Sequence, residues 1–152
     1  MALTHAWHDL VHDMRDEFHD LATIKQIDAA RQAYLALWAT FVALPLLFGI
    51  DKFVGVITGS WEVYLPAWAN DLIPGSAATG MMWIGALEIV LALLVLAVPR
   101  VGGDVLAAWL ALVAIALFSL GDMHELGLAA LAMGVCALAM AHLSRTWHHK
   151  EG

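Results

Sequence analysis

Glu88 is the residue of this chain that most needs a chemical reason. It stands in Gly85-Ala86-Leu87-Glu88-Ile89, well inside an apolar run, where an acidic side chain costs about 2.5–3.5 kcal/mol on membrane-insertion scales. Such a carboxylate does not face lipid: it is protonated, paired, or turned to a polar cavity. An acid and a base side by side, Asp51 and Lys52, follow the end of an earlier apolar run, Leu47-Phe48-Gly49-Ile50. Lys52 is the only basic residue between Arg31 and Arg100, so it is the natural partner for a buried acid.

Successive antiparallel spans would place Asp51, Lys52, Glu88, Asp122, His124 and Glu125 toward one end of the protein. That set suits three chemistries: an ion-pair and hydrogen-bond network that fixes helix positions, a polar pocket for a small ligand or a quinone headgroup, or a proton or ion path. The path is disfavoured, because no chain of acids continues toward the other end.

A second group of polar residues lies near the N-terminus. His5, His8 and His12 recur at helical intervals, with Asp9 and Asp16 each four residues after a histidine. Imidazole and carboxylate so spaced can meet one divalent metal, and the candidate ligands are His5, His8, His12 and Asp16. The pattern lacks HExxH or a Cys/His framework, so solubilising contacts on an exposed helix are the better reading. His142, His148 and His149 are as ambiguous, and His142 has no second histidine inside a span with which to hold a haem.

The elements that carry these residues follow from composition. The chain has 152 residues, of which 62% are hydrophobic and only 14% charged, against about 25% charged in soluble domains. Four segments are long and apolar enough to cross a hydrocarbon core, which takes ~20 residues: about 29–50, 78–98, 105–120 and 125–143. The expected fold is all-α, a membrane-embedded antiparallel four-helix bundle (29–143) preceded by an amphipathic His/Asp-rich helix and connector (1–28) and followed by a polar tail (144–152).

In the N-terminal segment Trp7, Leu10, Val11, Met14, Phe18 and Leu21 form a narrow apolar face, and the polar face is acidic. A helix lying on an anionic bilayer normally carries Lys and Arg, so this one is expected to rest on the bundle's own end, on a partner, or on its copy in another subunit. Five acids among the first twenty residues rule out a secretory signal, and the first span is expected to be retained. Asp28 is a candidate N-cap. Pro45 is expected to kink the first span, Lys52 to begin the loop after it, and residues 61–72 to form a short interfacial helix. Pro99-Arg100-Val101-Gly102-Gly103 reads as a hairpin with Asp104 starting the third span, and Gly121 to His124 as the last link. Ala130, Gly134, Ala137 and Ala141 give the fourth span a close-packing side. Trp61, Trp68, Trp83, Trp109 and Trp147 read as interfacial belts.

Six of the seven Lys and Arg residues fall on one side of this topology and Lys52 alone on the other. The positive-inside rule then puts both termini in the cytoplasm of a bacterial-type inner membrane. Cys136 is the only cysteine, which excludes a CxxC thiol relay, and the net charge of −7 with no basic stripe excludes nucleic acid as a partner.

Phe48-Gly49-Ile50-Asp51-Lys52-Phe53, Tyr64-Leu65-Pro66, Gly85-x-x-Glu88 and the small-residue-rich last span from Gly127 together resemble the DoxX-like membrane proteins. The resemblance runs from about Arg31 to Leu143 and leaves out the histidine-rich helix. It implies a four-helix membrane bundle of the kind found as a small accessory subunit of quinone-using oxidoreductases, and it implies no particular reaction; the expected partners are the lipid bilayer and a larger oxidoreductase subunit or further copies of this chain. Asp51, Lys52 and Glu88 match the family pattern. A structural or assembly subunit docking a partner through its N-terminal helix is the alternative, and a small transporter is a third reading that the apolar inner halves of the spans argue against.

Overall fold

The computed structural model describes the backbone of residues 2–22 and 28–147 and the side chains of 11–12, 14–22 and 28–145. Those residues form helices and no strand: α1 (Ala2–Ala22), α2 (Ala29–Val54), a 3₁₀ turn (Glu62–Tyr64), α3 (Ala67–Leu72), α4 (Ala77–Ala97), α5 (Pro99–Ser119) and α6 (His124–Trp147). Four of them, α2, α4, α5 and α6, are long and apolar enough to cross a membrane. Their outward residues, such as Val90, Leu93, Ile115 and Val135, are large, apolar and exposed, as a lipid-facing surface requires.

Helix ends follow local chemistry. Asp28 caps α2, its Oδ1 accepting from the N–H of Ala30 at 2.9 Å and of Arg31 at 3.1 Å. Ser76 caps α4 by accepting from the Thr79 N–H. Pro45 lies within α2, and the helix continues past it through Asp51 and Lys52 to Val54. Gly55 ends it in the left-handed region at φ 64°, a conformation glycine adopts without steric cost. Lys52 is therefore a helical residue and not the first of the loop. The helix extends because Phe53 and Val54 are apolar and the Lys52 charge is paired, so nothing at the Asp51-Lys52 boundary calls for water.

The expected hairpin over residues 99–103 is also corrected. Val98 alone makes the turn (φ −138°, ψ 77°), and Pro99 is already the first residue of α5, where proline's fixed φ and missing N–H cost nothing. The turn is tight because Gly102 lies on the backbone of α4: a Cβ there would sit 2.5 Å from Val95 Cα. Asp104 consequently lies inside α5, not at its start, and pairs with Arg145 of α6 at 2.7 Å.

Packing runs in opposite directions between neighbours. Tyr34, Leu35, Trp38 and Phe41 of α2 share a core with Leu91 and Val95 of α4, whereas Gly49 meets Gly85. Gly103 abuts Ala137 and Ala141, and Gly127 abuts Phe118, so α5 and α6 are antiparallel. Ala130, Ala137 and Ala141 are buried, as expected of a close-packing side.

Of the resting places expected for α1, the structure shows its own chain. Tyr34 of α2 donates its hydroxyl to the buried carboxylate of Glu17. Arg31 meets Asp20 at 3.0 Å and lies over the Tyr34 ring, and Phe18 stands edge-on to Trp38 with centroids 5.4 Å apart.

Candidate functional site

The crossing of α2 and α4 positions the most unusual side chains of the protein. Each helix brings a glycine to the contact: a Cβ on Gly49 would lie 2.7 Å from Gly85 O, and one on Gly85 would lie 2.7 Å from Gly49 O and 2.9 Å from Lys52 Cβ. Only residues without side chains permit this approach. Three positions along each helix from its glycine stands a charge, Lys52 on α2 and Glu88 on α4. Residues three apart share a helix face, so both charges lie on the faces that meet, and because the helices run in opposite directions the long Lys52 side chain turns back along α2 past Gly85 to reach Glu88. Lys52 Nζ donates to Glu88 Oε2 at 2.7 Å, with the two side chains 4% and 14% exposed. The ammonium also reaches Phe48 O at 3.5 Å, and the face of the Trp61 ring covers it at 3.9 Å from the centroid.

Asp51 is buried beside this pair but serves the loop. Oδ1 accepts from the N–H of Val56 at 2.8 Å and of Ile57 at 2.7 Å. Oδ2 accepts from the N–H of Thr58 at 3.0 Å and from the indole N–H of Trp61 at 2.9 Å. A carboxylate with four donors is fully engaged, and charge-assisted bonds of this kind are the strong ones.

The structure therefore brings Lys52 and Glu88 into contact and joins Asp51 to them through Trp61. Asp122 and His124 are not part of this group. They lie on a separate open surface depression over residues 121–126, and His124 lies against Phe118 with ring centroids 6.0 Å apart. Among the described residues neither makes a hydrogen bond or ion pair with Lys52 or Glu88. The side chains of His5 and His8 lie outside the described residues, as do His148 and His149. His12 faces Asp16 at 3.4 Å, both 62% exposed. Among the described residues no three His, Cys, Asp or Glu side chains are grouped to hold a metal ion.

Trp61, expected from the sequence only as part of an interfacial belt, belongs to the group of Asp51, Lys52 and Glu88. Its position ten residues after a buried acid carries no pattern of its own. Only the fold shows one indole using its N–H on Asp51 and its ring on Lys52.

No protein-family model, curated protein or solved structure matches the chain.

Proposed function

We propose that this chain is a DoxX-like accessory subunit of a membrane oxidoreductase and that its Lys52–Glu88 pair binds the headgroup of a quinone or quinol. The reading includes an antiparallel four-helix bundle in a bacterial-type inner membrane, both termini cytoplasmic, with α1 on the cytoplasmic side. The motifs around Gly49, Lys52, Gly85 and Glu88 support the family, and the six-to-one division of basic residues supports the orientation.

The observation that carries the ligand reading is the unused half of the pair. Among the described residues Lys52 is the only hydrogen-bond partner of Glu88, and it takes Oε2. Oε1 has no hydrogen-bond partner among the described residues and is not among the buried unpartnered atoms, so it remains an accessible acceptor on a side chain that is 14% exposed. Lys52 carries three N–H donors, of which one goes to Glu88 and one makes the long contact to Phe48 O. A donor and an acceptor thus stand side by side between apolar helices. That pair complements a quinone, whose carbonyl accepts from Lys52, and a quinol, whose hydroxyl donates to Glu88. The residues of this chain supply binding and a place for a proton, and the partner subunit supplies the redox chemistry.

The test is quinone analysis of the full-length protein purified in mild detergent. Wild-type protein retains quinone, and Lys52→Met and Glu88→Gln each reduce it at least tenfold while the protein still inserts. Equal quinone content in all three samples refutes the reading.

The docking of α1 favours a second reading, an assembly subunit that presents this helix to a partner. Its hold on α2 through Glu17–Tyr34 and Asp20–Arg31 keeps α1 in one orientation. Deleting residues 1–22 would then lose the partner and leave the membrane helices intact.

A further inference from the structure

The segment from Gly55 to Ser60 has little burial of its own to hold it. Val56 is 82% exposed and Ile57 60%, and a Cβ on Gly59 would meet nothing within 4 Å. Its attachment to the helices is concentrated in Asp51, which takes three successive backbone N–H groups and the Trp61 indole. The same indole roofs the charged pair, with Lys52 Nζ 3.9 Å from its ring centroid. Phe48 and Tyr64 brace it, at 6.0 and 5.8 Å between centroids. One carboxylate therefore holds both the loop and the ring that closes the site.

We infer that Trp61 is the gate of the Lys52–Glu88 site and Asp51 its latch, and that the ligand enters by taking the place of the indole on the Lys52 ammonium. An ammonium under an aromatic face is held by the ring's quadrupole, so the group that replaces the indole must return to Lys52 either a π face, as a quinol does, or a hydrogen-bond acceptor, as a quinone carbonyl does. A hydroxylated aromatic ring such as a quinol serves both members of the pair, offering a π face to Lys52 and an O–H to Glu88 Oε1. A saturated ring supplies no π face for the ammonium. This choice of ligand rests on the ligand reading of the pair, whereas the gate can be tested with no ligand present.

The test uses full-length protein in phosphatidylcholine nanodiscs and a water-soluble amine-acylating reagent. Labelling of Lys52 is followed by mass spectrometry and normalised to the other two lysines of the chain, Lys25 and Lys150. Asp51→Asn removes the charge and one acceptor oxygen of the latch, and Trp61→Ala removes the gate. Each raises the Lys52 labelling rate at least tenfold. Trp61→Phe keeps a ring but has no N–H for Asp51, and it raises the rate less than Trp61→Ala. Amide hydrogen exchange in α5 and α6 stays at the wild-type level in all three, which separates an open gate from an unfolded protein. Wild-type labelling in both Asp51→Asn and Trp61→Ala overturns the gate, and so does faster labelling accompanied by exchange throughout α5 and α6. If the gate variants label as stated while wild-type protein retains no quinone, the gate stands and the quinone reading falls.

Discussion

Replacing Lys52 by methionine or Glu88 by glutamine takes one member from a pair whose charged atoms are 2.7 Å apart and almost sealed from solvent. At an effective dielectric constant of about 20 the attraction across that distance is about 6 kcal/mol, set against several kcal/mol of desolvation for each ion. The net value of the intact pair is therefore small, but the cost of a half-pair is not. Breaking a buried pair on one side typically costs about 3–5 kcal/mol, because the remaining charge keeps its desolvation penalty and has lost its partner. Glu88→Gln strands the ammonium of Lys52, and Lys52→Met strands the carboxylate of Glu88. The double variant removes both charges, so its loss is smaller than the sum of the single losses by about 2–3 kcal/mol. Equilibrium unfolding in mixed micelles, followed by helical circular dichroism, measures all four corners of the cycle. Single losses that add to within about 0.5 kcal/mol would show that the two side chains are independent and that the crossing does not join them.

The glycine crossing predicts its own variants: Gly49→Ala and Gly85→Ala each destabilise by about 1–3 kcal/mol as overpacked contacts, whereas Gly134→Ala, whose new Cβ would stand 3.5 Å from Ala107 O, is tolerated. The same unfolding assay reads both. Tyr34→Phe removes the donor to buried Glu17 and lowers the stability of the α1–α2 contact by about 1–3 kcal/mol, seen as faster proteolysis within α1 while α5 and α6 remain protected. Reporters fused at the two termini read cytoplasmic and one inserted at Gly59 reads external, and a cytoplasmic reading at Gly59 reverses the orientation.

The sequence alone was sufficient for the number and approximate limits of the long helices, because a bilayer demands ~20 apolar residues per crossing whatever the fold. It was also sufficient for the Asp28 cap, since capping is a contact between neighbours in the chain. It marked Lys52 and Glu88 as residues needing partners, because charges inside apolar runs are too costly to be left alone. It also offered Lys52 as the natural partner of Glu88, but that the two side chains meet was decided by tertiary structure. The four spans are apolar nearly all round, and such helices carry no polar stripe to say which face turns inward. The meeting of Lys52 with Glu88, 36 residues apart in the chain, depends on Gly49 and Gly85 arriving at one crossing. The turning of Asp51 to the loop depends on where Gly55 ends α2 and on the course of residues 56–58. Trp61 acquires its place only when that loop brings an otherwise ordinary interfacial residue between an acid and a base, and these arrangements have no trace in local spacing because each is a side-chain contact that depends on the course of the folded backbone.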